Sequence, residues 1–247
     1  FNHYRLPRHG KLFLYDPTGQ QLIGAFTDFH NSNAGIFATQ LIVGDAIILE
    51  YHHGRSSEEL PELSIGDVAF TYRLPAAFPG SSRGNSDHCE VDINCSPEGD
   101  AWQRQKHGVA RIYLKANASY FWCSGSLVNN TSEDRSPYLL TANHCGPAAG
   151  PDDYLQWVFY FNYEEDQCDE SGTAPTDQTM TGATLKANYS TSGSDFKLLL
   201  LNNEVPKTYE PFFNGWSRED IPASKGVCIH HPAGDVKKIS TYTQPLE

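Results

Sequence analysis

The placement of the six cysteines constrains this chain more than any other feature of its sequence. They stand at positions 89, 95, 123, 145, 168 and 228, and the first 88 residues contain none. No two of them form a Cys-x-x-Cys pair, which argues against a zinc ribbon or a thioredoxin-type redox site. The spacing favours disulfides formed in an oxidising compartment, although six cysteines allow about fifteen pairings and spacing alone does not choose among them. The chain is therefore predicted to have two regions of different build.

The region before the cysteines is predicted to be a small β-rich domain covering residues 1–74. Short runs rich in β-branched and aromatic residues alternate there with turn-forming Asp, Asn, Pro and Gly. The predicted strands are residues 11–15, 22–26, 36–43, 46–51 and 64–72. Several short strands in this order favour a β-sandwich-like arrangement. The residues that follow are rich in Pro, Gly and Ser, which predicts an exposed linker at 75–83.

The cysteine-containing region, residues 84–247, also shows short β-type runs and no sustained 3.6-residue period. The predicted strands are residues 109–114, 121–128, 138–142, 155–163, 179–186, 196–201, 226–229 and 236–242. The two regions together predict an all-β fold class.

The charge pattern argues against several kinds of partner. The net charge is −12, and the Lys and Arg residues are scattered, so we expect no nucleic-acid partner. There is no run of about eighteen apolar residues, so we expect no membrane span. The acidic residues 164–166 lack EF-hand spacing and are interpreted as a solvated loop, and we expect neither a metal nor another cofactor.

The string Leu-Thr-Ala-Asn-His-Cys at residues 140–145 carries the clearest sign of chemistry. A general base must be held rigidly at a strand end and stay open to substrate, and His144 beside Cys145 suits that need. A single His is more often a surface residue. Here the string Cys-Ser-Gly-Ser-Leu-Val at 123–128 precedes it, and together they resemble the sequence around the catalytic histidine of trypsin-type serine proteases. In that fold a disulfide ties the two strands, which implies a Cys123–Cys145 bond.

The second string is Ser-Gly-Ser-Asp-Phe-Lys-Leu-Leu-Leu-Leu at 192–201, in which Asp195 stands directly before a buried-looking strand. An Asp before a strand is common in turns and is weak evidence by itself. A catalytic triad needs a carboxylate beside the imidazole, which fixes the imidazole tautomer and stabilises the imidazolium. The chain order His144 then Asp195 fits the trypsin type, and it does not fit the subtilisin or α/β-hydrolase orders.

The resemblance extends to the bacterial lysyl endopeptidases over residues 84–247. Besides the His144 and Asp195 strings it rests on Cys-Glu-Val-Asp-Ile-Asn-Cys at 89–95, Phe-Tyr-Phe-Asn-Tyr at 159–163, Gly-Trp-Ser-Arg at 215–218 and Ile-His-His-Pro at 229–232. It implies a trypsin-like double β-barrel and a serine endopeptidase that cleaves polypeptide substrates with a His-Asp-Ser triad. It also implies a bacterial protein that is secreted or on the cell surface.

The same resemblance implies roles for individual residues. His144 is the expected general base, and Asp195 is the expected carboxylate that orients it. The expected disulfides are Cys123–Cys145 and Cys95–Cys168. The region 1–74 resembles the non-catalytic segment that precedes such proteases, and Gly84 lies where the mature chain of the family begins. We therefore expect a propeptide-like domain and a cleavage after Arg83.

The nucleophilic serine is expected outside this sequence. In the family it follows His-His-Pro in a Gly-x-Ser-Gly string, which residues 232–247 do not contain, and Ser240 is expected to be structural. We expect a protease domain, residues 84–247, that is incomplete at its carboxyl end and holds the first barrel and the start of the second. Alone it is expected to be inactive, because removing the nucleophile costs on the order of 10⁶ in turnover.

The expected partner is the chain's own carboxyl-terminal half. Cys89 matches a cysteine whose partner in the family lies near the carboxyl end, beyond Glu247, so a disulfide link through Cys89 is expected. Cys228 has no assigned counterpart. The alternative function is a catalytically dead trypsin-like protein that acts as a binding or scaffolding module. The presence of both His144 and Asp195 favours the peptidase, because a non-catalytic fold has no chemical need for the pair.

Overall fold

A computed structural model describes residues 1–54, 59–71, 86–87, 89–168, 174–219 and 221–245. The chain divides into two compact units, Phe1–Tyr72 and Arg73–Glu247. Regular structure in the described residues is almost all β, with one short α-helix, α1 (Pro151–Tyr154), and a few single 3-10 turns. None of the described helices has the length and apolar character needed to cross a membrane. The predicted linker at 75–83 and the Arg83–Gly84 bond lie outside the described residues.

The first unit folds into two small antiparallel sheets around one apolar core. Its strands are β1 (His3–Arg5), β2 (Lys11–Tyr15), β3 (Leu22–Phe26), β4 (Ile48–His52) and β5 (Glu62–Ser64). One sheet has the order β3-β2-β4, and the other pairs β1 with β5. Both sheets contribute to the buried side chains, which are Tyr4, Leu6, Leu12, Leu14, Phe26 and Phe37. Two sheets that share a core match the small sandwich-like segment predicted from the sequence.

Two of the strands predicted in this unit are wrong in whole or in part. Residues 36–43 form no strand, and of the described residues in the run 64–72 only Ser64 belongs to one. Backbone groups of 36–43 form single hydrogen bonds instead of a strand ladder. Phe37 donates its N–H to the carbonyl of Phe1. The Gln21 side chain accepts the N–H of Val43 and donates to its carbonyl. The apolar side chains suggested a strand, but Phe37 reaches the core from a loop.

The second unit is built on a curled sheet of seven strands. These are β7 (Val109–Ala116), β8 (Ser119–Val128), β9 (Tyr138–Ala142), β10 (Val158–Tyr160), β11 (Thr179–Thr181), β12 (Ala183–Asn188) and β13 (Phe196–Leu201), and the short β6 (Val91–Asp92) precedes them. The order across the sheet is β11-β10-β7-β8-β9-β13-β12. All neighbouring pairs are antiparallel.

The two outermost strands of this sheet are consecutive in the chain, so the sheet closes on itself. Only Gly182, with φ +87°, separates β11 from β12. Its N–H bonds the carbonyl of Trp157 next to β10, and its carbonyl accepts the N–H of Asn202 next to β13. One bent strand therefore pairs with β10 through its first half and with β13 through its second, and six extended segments form a barrel. The sequence run 179–186 predicted the strand but not the bend.

The barrel interior is filled by large apolar side chains. Alternate residues of β7 and β13 belong to this core, as the two-residue period of a strand requires. The innermost side chains are Ala110, Ile112, Leu114, Leu127, Leu139, Trp157, Phe159, Phe161, Leu199 and Leu201. Full burial of each large one stabilises the folded state by roughly 2 kcal/mol. The second unit therefore has a core of its own.

A smaller sheet follows the barrel in the chain. It consists of β14 (Gly226–His230) and β15 (Lys238–Tyr242), with β6 from the start of the unit, in the order β14-β15-β6. The carboxyl-terminal part of the described chain thus supplies two strands, the number predicted from the runs 226–229 and 236–242. The unit holds two disulfides, which are the pairs that the family resemblance implied, Cys95–Cys168 and Cys123–Cys145. The thiols of Cys89 and Cys228 are free and exposed.

Glu164 contradicts the interpretation of residues 164–166 as a solvated loop. Its side chain is largely buried, and its carboxylate lies 2.6 Å from the ammonium of Lys106 and 2.7 Å from that of Lys237. Burial acts to raise the pKa of Glu164, but the two ammonium groups outweigh it and hold that pKa below its ordinary value. The contact joins the barrel to the smaller sheet, because Glu164 follows β10 and Lys237 precedes β15. Both partners are distant in the chain, so the acidic run gave no sign of them.

Gly182→Ala tests the closure of the barrel. At φ +87° an L side chain is strained, and a Cβ there would also run into the Asn202 amide. We expect the urea midpoint to fall, with a loss of roughly 1–3 kcal/mol in the free energy of unfolding. Gly215→Ala is the matched control, because no heavy atom lies within 4 Å of its added Cβ. Equal midpoints for the two variants would contradict a closure that depends on this bend.

Candidate active site

The two sequence-predicted site residues lie at adjoining strand ends. In the ladder between β9 and β13, Ala142 stands opposite Phe196. His144 comes two residues after Ala142, and Asp195 comes directly before Phe196. Because the strands are antiparallel, the end of one and the start of the other meet at the same edge of the barrel. The ladder therefore brings together side chains that are 51 residues apart in the chain.

Asp195 holds both the ring and the backbone of His144. The imidazole Nδ1 lies 2.6 Å from Asp195 Oδ2, and the backbone N–H of His144 donates to Oδ1 over 2.9 Å. The Asp195 carbonyl accepts the N–H of Asn143 over 3.1 Å. An ionised carboxylate can only accept hydrogen bonds, so the ring proton sits on Nδ1 and leaves Nε2 as a base.

The electrostatics of the pair agree with that proton position. The hydrogen bond from the His144 ring is the main cause that lowers the pKa of Asp195 below its ordinary value. Burial opposes this effect, and the backbone N–H of His144 adds to it. Asp195 is therefore a carboxylate near neutral pH.

The backbone of Asp195 is in the left-handed region, with φ +43°. Asp tolerates this conformation better than most residues because its short polar side chain bonds locally. The turn is closed by the Asp195 N–H, which donates to the carbonyl of Ser190. The carboxylate is thus turned toward the His144 loop just before β13 begins.

The loop that carries His144 is anchored on its other side by the disulfide between Cys123 and Cys145. Cys145 is buried, and the Thr141 hydroxyl donates to the carbonyl of Ser124 over 2.7 Å, which ties β9 to β8. The His144 side chain itself is 64% exposed. The surroundings of the imidazole are therefore fixed while the ring stays open to a substrate.

Sequence reasoning missed one pair of residues in this neighbourhood. Asn143 is buried, and its side-chain carbonyl accepts a hydrogen bond from the Asn188 amide over 2.9 Å. The contact links the His144 loop to the end of β12. Asn143 stands in the quoted string at 140–145, but nothing in the sequence pointed to Asn188 as its partner.

The site does not suit a metal ion. Ligand atoms of Cys123, His144 and Cys145 lie within 4.8 Å of one another. The two sulfurs are joined in a disulfide, so neither is the thiolate that a metal requires. Only the imidazole remains as a donor in this group, and one donor does not make a metal site.

Comparison with known proteins places the second unit in a family. The family model described as "Lysyl endopeptidase, C-terminal domain" matches residues 83–246. The lysyl endopeptidase of Pseudomonas aeruginosa is 32% identical over 164 residues, which are 64% of this chain and 34% of that protein. The chain thus spans about a third of the length of that curated relative.

Solved structures of two proteases align with part of the chain. A serine endoprotease from Yersinia pestis aligns with a TM-score of 0.38 and 14% identity, over 60% of this chain and 43% of that one. The Rv3671c protease from M. tuberculosis, in its active form, aligns with a TM-score of 0.38 and 14% identity, over 71% and 60%. The match of the family model covers well over half of the sequence. The chain therefore belongs, through residues 83–246, to the lysyl endopeptidase family.

Proposed function

We propose that this chain is part of a serine endopeptidase, in which His144 is the general base and Asp195 orients it. The observation that carries the proposal is the 2.6 Å contact between His144 Nδ1 and the Asp195 carboxylate, with an imidazole that is 64% exposed. Membership of the family supports the reaction class, because the Pseudomonas aeruginosa relative is named a lysyl endopeptidase. The substrate class is polypeptide.

The proposed mechanism follows from the tautomer that Asp195 imposes. With the proton on Nδ1, the free Nε2 of His144 accepts the proton of a serine hydroxyl as the serine oxygen attacks the scissile carbonyl. The imidazolium that results is stabilised by the Asp195 carboxylate. It then gives its Nε2 proton to the leaving amine, and a water molecule releases the acyl group by the same sequence of transfers.

The serine in this proposal belongs to a Gly-x-Ser-Gly string outside residues 1–247. We place it in the chain's own carboxyl-terminal half, joined by a disulfide through Cys89. The free and exposed thiol of Cys89 supports such a link. The two disulfides already formed support an oxidising compartment, so the proposed location is outside the cytoplasm, secreted or at the cell surface.

The domain organisation in this proposal is that of a zymogen. The first unit, with its own core, is a propeptide-like domain, and residues 75–83 link it to the protease domain. Activation cuts the bond after Arg83, so that Gly84 becomes the amino terminus of the mature chain.

Asp195→Asn, made in the full-length protein, tests the catalytic roles. An amide at this position no longer selects the Nδ1–H tautomer or stabilises the imidazolium, so we expect kcat on peptide substrates to fall by about 10⁴. Asp152→Asn, at the exposed first turn of α1, is the matched control and should leave kcat unchanged. A near-normal kcat for Asp195→Asn would contradict the proposed triad. A wild-type protein that binds polypeptides without cleaving them would favour the binding or scaffolding function instead.

Arg83→Ala tests the activation site. We expect the mature protein from this variant to keep residues 1–83, as measured by intact mass and amino-terminal sequencing. Arg73→Ala is the control, because Arg73 is another arginine near the same stretch and should not change the mature terminus. Release of a chain that begins at Gly84, at the wild-type rate, would show that Arg83 does not direct the cut.

A further inference from the structure

A lysine occupies an inward-facing position of the barrel, directly below the candidate active site. Lys197 lies in β13, two residues after Asp195, on the same face as the core residues Leu199 and Leu201. Its side chain has no exposed surface. Moving an ammonium group from water into the protein interior costs free energy, and apolar residues fill the next two inward positions of the strand. The charge at this position therefore calls for an explanation beyond packing.

The ammonium group of Lys197 binds the backbone of the His144 loop. Its Nζ donates to the carbonyl of Cys145 over 2.8 Å and to the carbonyl of Gly146 over 2.7 Å. The rings of Tyr154 and Trp157 lie 5.3 and 5.1 Å from Nζ, at cation–π distance. No described carboxylate is within ion-pair distance of Nζ. The two carbonyls are thus the main polar partners of the charge.

These contacts fix the loop from the side opposite to Asp195. Asp195 accepts hydrogen bonds from the backbone N–H groups of Asn143 and His144. Lys197 donates to the carbonyl groups of Cys145 and Gly146, the two residues that follow His144. Gly146 has φ +75°, so the chain reverses at the point where Lys197 binds. Both ends of the loop are thereby held by one strand, which is also the strand that carries the carboxylate.

We propose that Lys197 is a positioning residue for His144. The Lys197 ammonium group binds the Cys145 and Gly146 carbonyls and so keeps the imidazole within hydrogen-bond distance of Asp195. This inference rests on the proposed role of His144 as general base. A shift of about 1 Å in a catalytic group can cost on the order of 10²-fold in rate, so a loop held at both ends has a direct catalytic consequence.

The burial of Lys197 makes the proposal sensitive to pH. Burial lowers the pKa of Lys197 to about 8, and the nearby Asp195 opposes this only in part. The phenol of Tyr154 also faces the ammonium group, and burial raises the pKa of that phenol above its ordinary value. Above about pH 8 the amine is neutral, and its bonds to the two carbonyls lose the reinforcement of the charge.

Rising pH has opposite effects on the stability of the fold and on the hold of Lys197 over the His144 loop. Between about pH 8 and the ordinary lysine value of 10.5, the unfolded chain holds a proton that the folded chain has lost. The unfolded state then binds more protons, so folding becomes more favourable as the pH rises through this window. Below it, both states are charged and the folded state bears the cost of the buried charge. A fall in activity over the same window is therefore not explained by unfolding.

The test follows the His144 ring by NMR as the pH is raised. In the wild-type protein we expect the His144 ring signals to show a separate inflection near pH 8, when Lys197 loses its proton. Lys197→Met should lack that inflection, whereas Lys186→Met, at an exposed position of β12, should keep it. The wild-type titration stands without any variant, so a Lys197→Met protein that fails to fold does not leave the question open. An unchanged ring signal across this range in the wild-type protein would overturn the proposal.

Kinetics on the full-length protein provide the second readout. We expect Lys197→Met to lower kcat by about tenfold at neutral pH with KM unchanged, and to remove a decline in wild-type kcat above about pH 8. Equal kcat and equal pH profiles for wild type and Lys197→Met would also overturn the proposal. A wild-type protein with no peptidase activity would contradict the proposed function alone, because the NMR titration still reports whether Lys197 holds the loop.

Discussion

The register between strands β9 and β13 is the constraint on which the candidate active site depends. It sets Ala142 opposite Phe196, and from there the chain geometry delivers His144 and Asp195 to one edge of the barrel. A slip of one residue would turn the side chains of β13 to the opposite faces and move the carboxylate away from the imidazole. Closure of the barrel at Gly182 resists such a slip, because β12, which pairs with β13, is continuous with β11 on the far side of the sheet. The disulfide at Cys145 then fixes what the ladder has placed.

Buried charges in the second unit are used to hold loops. Lys197 binds two carbonyls of the His144 loop, and Glu164 joins Lys106 to Lys237 between the barrel and the smaller sheet. Arg111 has no exposed surface, lies against the rings of three aromatic residues and donates to the carbonyl of Gly234 over 2.9 Å. Each of these charges costs free energy to bury, and each has partners from distant parts of the chain. The strands themselves are held by apolar packing, and these charged groups connect the barrel to its loops and to the smaller sheet.

Most of the strands of the second unit could be predicted from the sequence, but few of the contacts that support the candidate active site could. Strands such as 138–142 and 196–201 were predicted with their exact bounds, because a run of strand-forming residues between turn residues can be recognised from the local sequence alone. The run 36–43 failed because Phe37 reaches the core from a loop, which no two-residue pattern can show. Within the site, the strings around His144 and Asp195 identified the pair, and the family resemblance implied both disulfides that are formed. The roles of Asn188, Lys197 and Glu164 depend on contacts made only in three dimensions, and the acidic run around Glu164 was interpreted as solvated.

The most direct test is to treat the protein from its native source with a fluorophosphonate, which bonds covalently to an activated serine, and to sequence the labelled peptide. We expect a single labelled serine in a Gly-x-Ser-Gly peptide outside residues 1–247, with no label on the Asp195→Asn protein. If that serine is on a separate fragment, reduction should release it from the chain that carries Cys89. A protein that takes up no label, or takes it up on a serine within residues 1–247, would contradict the claim that His144 and Asp195 serve a serine nucleophile supplied by another part of the protein.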